Sequence, residues 1–275
     1  MVGTGVATSV GAAISTLSAS ADVDLEVVNC WIKGTGRRGI RLGRTAGGDG
    51  SRNRGRVDGN LVTGVVTAVQ FIFVGQIAGA SWTGVVRGNH LKGNNNGLVI
   101  ERNTTATQTA GNAYDISSEM NLYEKNAWGV FMPSLFGSFE QTRFRSVQDT
   151  IVDSSLSRGI VPNTLSGGIG AGLTAGTSCY TRIEILNATF ANNLGRLGPL
   201  DFGVQPDAPS ATIPQSSTNN VFELLIRGVT ASGVDGSWKV IPSNPNLGNE
   251  VRLIGSDVAL QNSNDSIPIT FVETD

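Results

Sequence analysis

Gly39-Ile40-Arg41-Leu42, Ala68-Val69-Gln70-Phe71, Gly97-Leu98-Val99-Ile100 and Gly129-Val130-Phe131-Met132 repeat one short pattern, a small residue followed by β-prone apolar residues in alternation. The pattern returns at Gly159-Ile160-Val161, Pro199-Leu200-Asp201-Phe202, Ser237-Trp238-Lys239-Val240 and Ser266-Ile267-Pro268-Ile269. Between the first apolar residues of successive copies the steps are 29, 29, 32, 30, 40, 38 and 29, and self-similarity at a nearly fixed period marks a solenoid. Eight copies predict eight coils whose anchor residues stack in one row inside the core.

A second signature precedes the anchors: Val27-Val28-Asn29-Cys30-Trp31-Ile32, Val57-Asp58-Gly59-Asn60-Leu61-Val62, Val86-Arg87-Gly88-Asn89-His90-Leu91 and Ile183-Glu184-Ile185-Leu186-Asn187-Ala188-Thr189-Phe190. Each is an apolar strand bent at Asn or Gly and then resumed. Two or three short strands per coil, with no 3.6-residue apolar period, predict a coil built wholly of strands. Asn29, Asn60, Asn89, Asn121 and Asn187 then read as one amide ladder, each side chain bonding its neighbours in the coils above and below.

On these two motifs, residues 22 to 275 resemble the right-handed parallel β-helix proteins of the pectin-lyase-like superfamily. The resemblance implies a single-domain, all-β, right-handed parallel β-helix solenoid of about eight coils, with residues 1 to 21 as a small-residue N-terminal segment or incomplete coil. It implies no single activity, because that superfamily holds lyases, hydrolases, epimerases, phage tailspikes and adhesins. The main competing solenoid is the leucine-rich repeat, which needs a Leu-dominated register, whereas these slots hold Val, Ile, Phe and Trp between 36 punctuating glycines.

Composition narrows the function classes. A net charge of −2 leaves no broad basic field, so nucleic acid is not an expected partner. No run approaches the roughly twenty apolar residues of a membrane span. Cys30 and Cys179 lie about five coils apart, beyond disulfide reach, and read as small buried residues. No capping segment precedes the first coil or follows the last. That pattern suits an extracellular or cell-surface fragment of a longer secreted protein, or an oligomer joined through an uncapped end.

Laid in register by counting back from the anchors, the charges form two rows on an outer face. One row holds Asp58, Arg87, Glu119, Asp149 and Arg227, the other Arg54, Asp115, Arg145, Glu223 and Arg252. Read structurally, these are cross-strand pairs that keep the coils in register. Read as a site, Glu119 and Asp149 would stand about 5 Å apart with Arg87 and Arg145 beside them, the spacing of a retaining glycoside hydrolase. The resemblance would extend that to polysaccharide lyase chemistry, but the diagnostic strings of the polygalacturonases and alginate epimerases are missing. Asp22, Asp24 and Glu26 alternate on one strand and offer oxygen ligands to calcium, or simply an acidic edge that discourages edge pairing. No other cofactor is implied. His90, the single histidine, points outward as surface decoration.

Extra length predicts a wall of loops at Arg44 to Gly55, Glu101 to Ala113, Pro162 to Ser178, Gly203 to Asn220 and Pro242 to Asn249. The glycine-rich run Leu165 to Gly172 reads as a flexible loop, and Gly47-Gly48-Asp49-Gly50 as a turn. Three functions fit these observations. The first is a non-catalytic structural, adhesive or carbohydrate-binding module. The second is a polysaccharide lyase or glycoside hydrolase acting on an acidic polysaccharide. The third is a trimeric fibre of the phage tailspike kind. The corresponding partners are a polysaccharide or neighbouring protein chains.

Overall fold

A computed structural model shows a parallel β-solenoid, with no helix among the described residues. It describes residues 12–18, 22–34, 36–45, 47–75, 77–103, 111–132, 137–154, 167–172, 176–193, 200–203, 219–232, 239–241, 250–256, 261–262 and 270–271. Strand β1 (Ala12–Ser18) comes first. Turn one is β2 (Asp24–Val28), β3 (Trp31–Lys33) and β4 (Arg38–Thr45), and turn two is β5 (Arg52–Asp58), β6 (Leu61–Thr63) and β7 (Thr67–Val74). Turn three is β8 (Ser81–Arg87), β9 (His90–Lys92) and β10 (Asn96–Asn103), and turn four is β11 (Ala113–Glu119), β12 (Leu122–Glu124) and β13 (Trp128–Met132). The short β14 (Gly137–Ser138) precedes turn five, made of β15 (Gln141–Val147), β16 (Thr150–Val152) and β17 (Gly167–Gly172), and β18 (Gly176–Thr177) pairs with β14.

Each turn gives one strand to each of three parallel sheets. Sheet A collects β1, β4, β7, β10, β13 and β17, sheet B collects β2, β5, β8, β11 and β15, and sheet C collects β3, β6, β9, β12 and β16. Five such turns run from Asp24 to Gly172, and the eight complete turns expected are not reached among the described residues. Further strands then extend the same sheets as far as Phe271.

Four expected anchors, Ile40, Val69, Leu98 and Val130, are fully buried in the core and in register with one another. Leu200 joins the same sheet. The expected anchors Ile160, Trp238 and Ile267 lie outside the described residues. The residue that pairs with Val130 is Ile169, so the glycine-rich run is a strand rather than a loop. Its small side chains hid it from a search for bulky apolar residues. The loop wall is corrected likewise: Arg44 and Thr45 belong to β4, residues 52 to 55 to β5, and Glu101 to Asn103 to β10.

Inside the coil, glycines make room for rings. A Cβ on Gly55 would come within 2.5 Å of Leu42 Cδ2, and one on Gly84 within 2.6 Å of the Phe71 ring. Phe71 in turn meets Trp82 edge-on at 5.8 Å, an arrangement favoured by the ring quadrupoles.

The amide ladder forms with a shifted membership. Cys30 N donates to Asn60 Oδ1, Asn60 N and Nδ2 donate to Asn89 Oδ1, and Asn89 N and Nδ2 donate to Asn121 Oδ1. Asn29 and Asn187 are not members, because Val28 pairs with Asp58 and so sets Asn29 beside Gly59, one position earlier. There the chain turns from sheet B to sheet C with positive φ at Asn29, Gly59, Gly88, Met120, Gln148, Asn187 and Gly228, a conformation that Gly and Asn tolerate best. A second ladder, which the sequence pattern did not reveal, runs from Val65 N to Asn94 Oδ1 and from Asn94 N and Nδ2 to Asn126 Oδ1. Neither cysteine is in a disulfide; Cys179 is buried and Cys30 only half-buried.

Candidate functional site

The charged face lies on sheet B, whose strands alternate inward core residues with outward polar ones. Hydrogen-bonded pairing sets its outward rows. One runs Asp58, Arg87, Glu119, Val147, Leu186 and Arg227, and another runs Arg54, Thr83, Asp115, Arg143, Arg182, Glu223 and Arg252. Arg87 and Glu119 are therefore strand neighbours, as expected. Asp149 is not in their row, and the neighbour of Glu119 in the next turn is Val147. Arg145 is displaced too, standing between Ser117 and Glu184. Counting back from a fixed anchor fails in turn five, where residues 155–166 enter between β16 and β17.

Asp149 instead ends the asparagine ladder, fully buried. Its Oδ1 accepts from Asn121 N at 2.8 Å and Asn121 Nδ2 at 3.1 Å, and its Oδ2 accepts from Ser146 Oγ at 2.7 Å. Burial pushes the Asp149 carboxyl up to about 6, even though its hydrogen bonds from Ser118, Ser146 and Asn121 favour the charged form. The paired-carboxylate geometry expected of Glu119 and Asp149 is thus absent. Glu119 Oε1 accepts from Ser117 Oγ at 2.6 Å on the outer face.

The remaining face is a lattice of ion pairs. Asp58 Oδ2 takes Arg56 at 2.7 Å and Arg87 at 2.8 Å, and hydrogen bonds from these two arginines hold its carboxyl below the ordinary range. Glu184, with its side chain only 5% exposed, gathers Arg182 at 2.8 Å, Arg145 at 3.0 Å and Arg143 at 3.5 Å. Its carboxyl stays low because the arginines outweigh the burial that opposes them. Glu223 continues the lattice to Arg182 at 3.6 Å and Arg252 at 3.2 Å.

Asp22, Asp24 and Glu26 face the arginines of β5. Asp22 Oδ1 accepts from Arg52 N at 2.9 Å, Asp24 pairs in register with Arg54, and Glu26 lies 3.6 Å from Arg56. Among the described residues no group of three His, Cys, Asp or Glu side chains is arranged to hold a metal ion. His90 is on sheet C, its Nε2 2.8 Å from Glu124, which Lys92 also reaches at 2.8 Å.

A further polar cluster, absent from the sequence-based expectations, sits on the outer face of sheet A. Ile40 and Leu42 enter the core, so Arg41 between them points outward, and Val69 and Phe71 place Gln70 the same way. Arg41 and Gln70 are strand neighbours, 7% and 1% exposed respectively, so both are shielded although they face away from the core. Gln70 Nε2 donates to Glu101 Oε1, and Arg38 and Arg41 both act on Glu101 electrostatically. Burial pushes Glu101 up and both arginines down. The available signal was the middle slot of the anchor motif, polar at 41 and 70 and turned away from the core by period two. Farther along the same row, Phe131 stacks on Trp128 at 5.1 Å.

No protein-family model, curated protein or solved structure matches the chain. No helix of the described residues is long and apolar enough to cross a membrane.

Proposed function

We propose that this chain is a non-catalytic module, a stiff rod whose work is structural or adhesive, with carbohydrate as the surface it meets. The observation that carries this reading is Glu184 with its three arginines. A carboxylate engaged by Arg143, Arg145 and Arg182 is a poor proton acceptor, and the arginines are held in place by it. Asp58 and Glu223 are engaged in the same way. Asp149, buried in the ladder, has left the face altogether. What remains is a fixed, arginine-rich polar surface with half-exposed guanidinium groups, suited to repeated weak contacts with hydroxyls and anionic groups of a polymer.

The test is to incubate the chain with a panel of neutral and acidic polysaccharides and measure both retention and newly formed reducing or unsaturated ends. Retention without end formation is expected. End formation that disappears in Glu119→Gln, with the fold intact, would replace this reading by an enzymatic one.

A further inference from the structure

The cluster on sheet A carries a different inference. Buried polar atoms in folded proteins are almost always hydrogen-bonded, and each exception asks for an explanation. Here three belong to one cluster: Arg38 Nε, Arg41 Nε and Gln70 Oε1 are buried and have no hydrogen-bond partner, Arg41 and Gln70 being strand neighbours and Arg38 acting electrostatically on Arg41. Two are donors and one is an acceptor, so they cannot all be satisfied by a simple anion. The Nε–H of arginine together with an adjacent Nη–H forms a planar fork that matches the two oxygens of a carboxylate. The free amide oxygen of Gln70 calls for a hydroxyl donor.

The surroundings fit such an occupant. Ile72 and Val99, at 0% and 2% exposure, flank Gln70 on the outer face and keep water away, which strengthens each polar contact made there. Arg38 and Arg41 outnumber the one carboxylate of Glu101, and Arg37 also acts on Arg38, so the cluster is net positive and suits an anion. Gln70 is fixed from its other end by its bond to Glu101, so its oxygen is held for a ligand without further ordering.

We infer that Arg38, Arg41 and Gln70 form a binding site for a hydroxy acid: a carboxylate held by the arginine forks, with a neighbouring hydroxyl donating to Gln70 Oε1. The site is on a different sheet from the paired face and stands or falls independently of it.

Titration of the full chain with glycolate, acetate, ethylene glycol and inorganic sulfate, followed by calorimetry or NMR at pH 7, tests this. Glycolate is expected to bind at about 1 mM, well within the ceiling for five non-hydrogen atoms. Acetate, lacking the hydroxyl, should be about tenfold weaker, and ethylene glycol should not bind. Arg41→Lys keeps the charge but loses the fork and should weaken glycolate about tenfold. Gln70→Met should erase the difference between glycolate and acetate. Arg54→Lys on sheet B should change nothing. Failure of glycolate to saturate below about 100 mM would overturn the site, as would sulfate binding more tightly than glycolate. Unchanged affinity in a folded Arg41→Lys would do the same, and if that variant does not fold, a glycolate preference retained in Gln70→Met would decide against the site.

Discussion

Asn121 donates its backbone N–H and its side-chain amide to the same carboxylate oxygen of Asp149, so an acid stands where the ladder of Asn60, Asn89 and Asn121 calls for another amide. An amide at 149 would offer the same acceptor and add a donor toward the Ser118 carbonyl, the position in register with those that Asn60, Asn89 and Asn121 use on Val27, Val57 and Val86.

The first prediction is a pH dependence. The Asp149 carboxyl is raised from an ordinary 3.8 to about 6, so the folded chain binds its proton more tightly than the unfolded one. The resulting stability is fully present below about pH 4 and is lost as pH rises through about 6, on the order of 2–3 kcal/mol in all. Asp58, Glu124, Glu184 and Glu250 are lowered and act oppositely, losing their contribution only as pH falls through the lower carboxylate range. Melting temperature should therefore rise between pH 7 and pH 5, and Asp149→Asn should raise it at pH 7 and flatten most of that rise. Glu101, also raised by burial, acts in the same direction. A wild-type profile already flat between pH 5 and 7 would contradict this.

Removing the hub of the sheet B lattice should be costly. Glu184→Gln leaves Arg143, Arg145 and Arg182 without their shared carboxylate and is expected to lower stability by about 1–3 kcal/mol at low salt. Denaturant midpoints at low and high salt would show the loss shrinking as salt screens the half-exposed arginines.

Gly84 has a steric role. Gly84→Ala would drive a methyl into the Phe71 ring and is expected to cost about 1–3 kcal/mol. Phe71→Leu in the same chain should recover part of the loss in a double-mutant cycle. Additive effects would show that the two residues do not meet.

Met120 holds φ +51° at an exposed turn where the neighbouring turn has Gly88. Met120→Gly should stabilise by about 1 kcal/mol, because only glycine adopts that conformation without a Cβ penalty. Chemical denaturation of the two chains would show it directly, and a lower midpoint in the variant would count against the assigned turn.

The sequence by itself determined the solenoid and the registers of its first four turns. The anchors Ile40, Val69, Leu98 and Val130 could be read because stacked strands demand a large apolar residue at one slot per turn, and that demand is visible wherever the period holds. The pairing of Asp58 with Arg87 followed from the same count. Tertiary structure decided the rest wherever the period breaks. The chain between β16 and β17 lengthened turn five, so counting placed Asp149 beside Glu119, although hydrogen-bonded pairing sets Val147 there. A strand of glycines around Ile169 carries no apolar signal, and only its ladder to Val130 identifies it. Asn29 and Asn60 look alike in the chain and differ by one step in register, which makes one a left-handed turn and the other a rung of the ladder. The Arg41 and Gln70 cluster arises because pairing stacks turns 29 residues apart, bringing together side chains whose distance along the chain says nothing of their contact.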